Sequence, residues 1–228
     1  MKAAQHIVKL IATEDGSHTF RSDQFQTTFH SVHGAIEESK HVFIQNGLLN
    51  FLNTHPKKEV HILEIGFGTG LNAYLTFLES QKQSVVVHYH AVELYPISTE
   101  DAKRLNYAQV NDSLYHASFL QMHLQEWNIQ SVISSEFNLT KHLIKAEDYH
   151  TTQTFDLIYF DAFSPKEQPE LWTEEVFRRM HGLLNEKGSL VTYCAQGQMK
   201  RNLKAAGFVV KALQGFGNKR EMTRAEKI

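Results

Sequence analysis

The sequence predicts an α/β fold, with helices packed on the faces of a mostly parallel sheet. Two observations predict it. From about residue 58, short β-branched or apolar runs alternate with longer amphipathic stretches, the pattern of repeated β-α-β units. The 228 residues, 42% of them hydrophobic, suffice for one sizeable core and suit one globular domain better than two.

Taken in order, the strands are expected at Val60–Ile65, Val85–Glu93, His142–Ala146, Phe155–Phe160, Ser189–Cys194 and Phe208–Leu213, with Glu221–Lys227 as a final antiparallel strand after a glycine-rich turn. Helices are expected over Leu71–Glu79, Ser98–Leu105, Pro169–Leu184 and Gln198–Ala206. Gly207 suits the left-handed cap of the last. Residues 1–57 read as an N-terminal extension packed on the sheet, with a short hairpin and an amphipathic helix inside 21–52, and 58–228 as the domain that carries the sheet.

Composition narrows the function. No apolar run approaches the roughly 18 residues of a membrane span, and the first ten residues lack the apolar block of a leader, so a soluble, cytoplasmic protein is expected. Cys194 is the only cysteine, which excludes an intrachain disulfide and a cysteine-based zinc site. It reads as packing rather than nucleophile, and Trp172 and Phe177 as core or pocket wall. His30-x-x-His33 and His88-x-His90 have no adjacent carboxylate cluster in sequence, so no metal is expected. The formal charge of −2 hides an asymmetry: residues 178–228 hold 11 basic and three acidic side chains, a net +8, against −10 in the rest. Such a segment is either a solvated basic face or a surface for a polyanion.

Four motifs carry chemistry. The run Glu64-Ile65-Gly66-Phe67-Gly68-Thr69-Gly70 follows an apolar strand and opens a helix, where glycines let backbone approach a ligand and helix N–H groups favour a negative one. Glu93 ends the next strand, 23 residues past Gly70, where a carboxylate can accept from both ribose hydroxyls. The G-x-G-x-G spacing is not the G-x-G-x-x-G of dinucleotide binders, and no G-K-[ST] is present to hold a triphosphate, which favours S-adenosylmethionine. Third, Asp161-Ala162-Phe163-Ser164-Pro165 follows a strand and should face the same crevice. There Asp161 can orient an attacking amine and assist removal of its proton, its plainer role being a helix cap. The tail Gly215-Phe216-Gly217-Asn218-Lys219-Arg220 could grip phosphate and stack a base.

These stretches carry a resemblance. His30-Ser31, Gly34-Ala35, Glu38-Ser39, EIGFGTGLN at 64–72, FDLIYFDAFSPKEQPELW at 155–172 and GFGNKREM at 215–222 together resemble the tRNA 5-(aminomethyl)-2-thiouridine methyltransferase family, the methyltransferase half of the bifunctional enzyme MnmC. The resemblance implies a class I S-adenosylmethionine-dependent methyltransferase fold, Rossmann-like with a mostly parallel seven-stranded sheet. It implies S-adenosylmethionine as donor and tRNA with a modified wobble uridine as partner. Glu64, Gly66, Phe67, Gly68, Gly70, Asn72 and Glu93 would form the cofactor site, with Glu147 or Asp148 at the adenine. Asp161 would be catalytic, and Phe163, Pro165, Lys200, Arg201, Phe216, Lys219 and Arg220 would meet substrate or RNA. The family's fused FAD oxidoreductase half has no counterpart, since the chain ends six residues after Met222, so the expected enzyme methylates only. Other class I methyltransferases, a spermidine-synthase-like aminopropyltransferase and a non-catalytic RNA-binding module are the alternatives.

Overall fold

A computed structural model describes residues 7–228. The first six, part of the expected extension and of the segment read for a leader, lie outside the described residues. Strands β1 (Val8–Ala12) and β2 (His18–Ser22) make a separate antiparallel hairpin. A helical stretch follows as α1 (Ala35–Ser39), a π-helical segment Lys40–Leu49 and α2 (Asn50–Thr54). The hairpin thus precedes the stretch in which it was expected.

The main sheet begins with β3 (Glu59–Ile65), which leads through α3 (Leu71–Gln83) to β4 (Val86–Glu93). After α4 (Thr99–Ala102), α5 (Tyr107–Asn111) and α6 (His116–Leu124) come β5 (Gln130–Ser134) and β6 (Phe137–Leu143). The chain continues as β7 (Phe155–Phe160), α7 (Glu174–Leu183), β8 (Leu184–Thr192), α8 (Gly197–Ala205), β9 (Val209–Gln214) and β10 (Glu221–Glu226). The strand order is β5-β6-β4-β3-β7-β8-β10-β9. Pairings among β6, β4, β3, β7 and β8 are parallel, and β5 and β10 run antiparallel to their neighbours.

The sheet therefore has eight strands, not seven. The extra one is β5, whose polar QSVIS gives little strand signal but which pairs back on β6 through a tight turn at residues 134–136. The strand expected at His142–Ala146 is β6, several residues earlier: its inward positions are Phe137, Leu139 and the buried Lys141, and a buried lysine hides the alternation. The expected helix Pro169–Leu184 is a 3-10 turn, Pro169–Trp172, followed by α7, because the Thr173 side chain accepts from the Val176 N–H and starts a new helix. Ser98 caps the short α4 in the same way.

One sheet face packs Val60, Ile62, Val87 and Tyr89 against α3 and the 35–54 stretch. The other packs Leu63, Ile65, Ile158 and Phe160 against α7 and α8. On that second face β6 passes to β7 with only a 3-10 turn, Ala146–Asp148, in place of an α-helix. From β3 the chain moves to one side of the sheet through β4 and returns to the other at β7. A crevice opens where the order reverses, at the carboxyl ends of the strands. No helix among the described residues is long and apolar enough to cross a membrane.

Candidate active site

The turn between β3 and α3 brings backbone to the floor of this crevice. Gly66 has φ +92°, and a Cβ there would stand 2.6 Å from the backbone carbonyl oxygen of Asp161. Only glycine lets the ends of β3 and β7 come this close. Gly68, at φ +51°, donates its N–H to Glu93 Oε2 at 2.9 Å. Glu93 Oε1 accepts the Tyr95 N–H at 2.7 Å, so the carboxylate is fixed by two backbone donors and keeps lone pairs for a ligand.

A cavity of about 1120 Å³, open to solvent, spreads over this turn and is lined by Gly66, Phe67, Gly68, Asn72, Glu93, Glu147 and Asp161. At its base Asn72 Nδ2 donates to two carboxyls, Glu64 Oε1 at 2.9 Å and Asp161 Oδ2 at 2.7 Å. Burial, with the neighbouring Asp161 adding to it, pushes the Glu64 carboxyl well above its ordinary value. Burial also pushes Asp161 up to about 7; the Glu38 charge adds to this, while the Asn72 hydrogen bond and Lys219 oppose it. Glu64 Oε2 and Asn72 Oδ1 are buried without a hydrogen-bond partner among the described residues.

A second cavity, about 1010 Å³ and also open, lies across Asp161 and is lined by His30, Glu38, Asp161, Phe163, Tyr193 and Lys219 among others. Glu38 pairs with the Lys219 ammonium, which sits 4.9 Å over the Tyr193 ring, and accepts the Ser31 N–H at 2.9 Å. The Tyr193 hydroxyl donates to the Ala162 carbonyl at 3.0 Å. His30 is held down to about 4 by burial and is neutral. Phe163 separates the two spaces, its ring 4.6 Å from Phe25 and 5.1 Å from Phe29. Asp161 thus stands in a wall that both cavities share.

Most residues singled out in the sequence converge here, with some shifts of place. Gly70 starts α3 and packs against His123 instead of lining the cavity. Glu64 lies beneath the cavity, fully buried. Glu147 lines it while Asp148 is exposed away from it, which separates the two acids that the sequence left as alternatives. Phe163 and Lys219 line the second cavity; Pro165, Phe216 and Arg220 do not. Lys200 is tied to Glu221 and Arg201 lies over Gln198. Phe25, Tyr95 and Tyr193 carry no signal at the level of sequence, since an aromatic becomes a pocket wall only through the fold.

A family model for S-adenosyl-L-methionine-dependent methyltransferases matches residues 106–228, more than half of the chain. The chain belongs to this family. Similar proteins include the tRNA 5-methylaminomethyl-2-thiouridine biosynthesis bifunctional protein MnmC of Marinomonas sp., 31% identical over 93% of this chain and 33% of that one. MnmC of Aeromonas hydrophila is 28% identical over 90% of this chain and 33% of its own. The methyltransferase spans about a third of the length of these relatives. Among solved structures, MnmC2 from Aquifex aeolicus superposes with a TM-score of 0.74 at 26% identity, covering 97% of this chain and 70% of that one. Spermidine synthase from Thermotoga maritima, at 0.60 and 16% over 100% and 72%, shares the fold. The methyltransferase thus uses S-adenosylmethionine, and the class I fold expected from the sequence stands with one more strand. The family match begins after the glycine turn, so the role of that turn rests on its geometry.

Proposed function

We propose that the methyltransferase transfers a methyl group to the amino nitrogen of 5-aminomethyl-2-thiouridine at the wobble position of tRNA, giving the 5-methylaminomethyl nucleoside. The observation that carries this reading is the pair of cavities meeting at Asp161: donor and acceptor can each occupy one and meet at a single carboxyl. The names of the relatives, MnmC and MnmC2, supply the acceptor's identity.

The first cavity fits the donor. Its floor is a turn that a Cβ would obstruct, and its one acid at the end of β4 is already oriented by two N–H groups. Glu93 would receive the ribose hydroxyls, Gly66 and Gly68 would lie against the amino-acid part, and Glu147 would face the adenine. When bound there, S-adenosylmethionine supplies an electrophilic methyl on a sulfonium.

The second cavity fits an amine. Asp161 offers its carboxyl to the incoming amine beside the Glu38–Lys219 pair, and neutral His30 adds no repulsion. An ammonium has no lone pair, so the reactive form is the free amine. Asp161 accepts its hydrogen bond and turns the lone pair toward the first cavity. The bound donor would supply the methyl and keep the C–S electron pair as a neutral thioether, and the surplus proton of the methylated amine passes to the Asp161 carboxylate. A carboxyl raised to about 7 suits that task near neutral pH. Asn72, donating to both Glu64 and Asp161, holds Asp161 in place.

Incubating the protein with isotope-labelled S-adenosylmethionine and tRNA carrying 5-aminomethyl-2-thiouridine tests the reading. Nucleoside mass spectrometry should find one labelled methyl on that nucleoside. No methyl there, with binding of S-adenosylmethionine intact, defeats the acceptor assignment.

A further inference from the structure

At the opposite end of the sheet from the crevice, strand pairing assembles a group that the sequence alone does not show. His61 on β3 and His88 on β4 are register partners in a parallel pair, so their side chains leave the same face. Their rings stack with centroids 4.6 Å apart and planes 11° from parallel. Glu59, two residues before His61 and hence on that face as well, places Oε1 2.6 Å from His88 Nε2 and 3.7 Å from His61 Nε2. Three potential ligand atoms, two imidazole nitrogens and a carboxylate oxygen, all lie within 4.8 Å of one another.

We propose that Glu59, His61 and His88 form a binding site for a divalent transition ion of the zinc class, with a coordination position left for water. Three observations support it. First, ligand atoms about 2.0–2.1 Å from a tetrahedral zinc ion lie roughly 3.3 Å from each other, and the two measured Glu59 separations bracket that value, so small rotations of the side chains suffice. Second, His61 Nδ1 is 2.9 Å from Gln153 Nε2. With that amide turned so that its oxygen accepts from Nδ1–H, the Nε2 lone pair faces the other two ligands, the outer partner that a ligating histidine normally has. Third, the group is reachable: His61 and His88 are 32% and 24% exposed, on the stretch of sheet that no α-helix covers.

A filled site would tie β3 and β4 to each other and, through Gln153, to the connection between β6 and β7, which itself carries Glu147 into the donor cavity. Lys57, near His61, sets a limit on affinity by repelling the cation. The pair His33 and Glu14, 2.9 Å apart at the surface, is an isolated contact of the same chemistry and serves as the control.

The test is calorimetric titration of the chelator-stripped full chain with zinc chloride, repeated with cobalt chloride and followed by visible absorption. The wild type should take up one equivalent, show the d–d bands of a low-coordinate cobalt site and melt at a higher temperature with zinc than without. The His61→Asn/His88→Asn double variant should lose at least about tenfold in affinity, of the order seen when a metal's supporting groups are removed, together with the bands and the thermal gain. Glu59→Gln should weaken binding with less effect on folding, and His33→Asn should change nothing. Binding of S-adenosylmethionine by each variant checks that it is folded. Should the double variant not fold, zinc-induced shifts of the His61 and His88 ring nitrogens in the wild type, read by nitrogen NMR, decide the matter. No saturable binding by the wild type, equal binding by the folded double variant, or ring nitrogens unmoved by zinc overturns the proposal.

Discussion

The cavity on the glycine-turn side of Asp161 has a floor of backbone and, at the end of β4, a carboxylate held by two backbone donors, whereas the cavity on the other side gathers side chains from five segments: residues 27–39, 43, 161–167, and the isolated Tyr193 and Lys219. The floor of the first depends on a short stretch of chain whose geometry glycine permits. The second depends on where β8 and the turn before β10 end, and on how the 35–54 helical stretch lies across them. A backbone-built site tolerates change around it; a site gathered from distant side chains is specific and easily disturbed.

Asp161 belongs to both, so its loss should have the largest effect. Asp161→Ala is expected to lower the single-turnover rate of methyl transfer by about 10²–10⁴-fold, the usual worth of a positioned acid or base. The Kd for S-adenosylmethionine, read by calorimetry, should change only a few-fold. Equal losses in rate and donor binding would move Asp161 wholly into the first cavity. Glu93→Ala should do the reverse. Removing a carboxylate held by Gly68 and Tyr95 should weaken donor binding by about 10²-fold, ~3 kcal/mol for two charge-assisted hydrogen bonds. The maximal rate at saturating donor should stay nearly unchanged. Lys219→Ala belongs to the other side: KM for tRNA should rise about tenfold, because Glu38 loses its partner, while the donor Kd stays put.

The same division explains what the sequence made legible. Gly66, Gly68, Glu93 and Asp161 are recognisable because each closes a strand and is followed by a turn, so strand order alone brings them together. Glu38, Tyr193 and Lys219 carry no such marker individually: 181 residues separate Glu38 from the lysine that neutralises it. The missed strand β5 and the displaced β6 fail for a related reason, since Lys141 is buried by donating to the His123 carbonyl at 2.9 Å and lying 4.6 Å over the Trp127 ring, partners from another part of the chain.

The basic segment is likewise altered by its partners. Of the cations expected to meet RNA, Lys200 and Lys219 are spent on Glu221 and Glu38; elsewhere in the basic segment Arg178 and Arg179 pair with Glu174 and Glu175. Arg201 and Arg220 are exposed, and neither has an ion pair among the described residues. Replacing either with alanine should reduce the slope of log affinity for tRNA against log salt by about one, with a few-fold loss of affinity at moderate salt. Lys200→Ala should leave that slope unchanged. An equal change at all three positions would show that the ion pairs open when RNA binds.

The smallest expected effect concerns the wall between the cavities. In the folded protein Asp161 keeps its proton up to about pH 7, whereas the unfolded chain releases it near 3.8. Between those values the folded state binds more protons than the unfolded one, so this group's contribution to stability is full below pH 3.8, declines as pH rises through the window and is lost above 7. Asp161→Asn cannot ionise and keeps an acceptor for Asn72. Its melting temperature relative to the wild type should therefore climb from pH 5 to pH 8, by at least ~2–4 °C, the shift that about 1 kcal/mol produces in a domain of this size. A difference that is flat with pH would mean that Asp161 is ionised throughout, and the second cavity would then hold its amine by charge, without taking its proton.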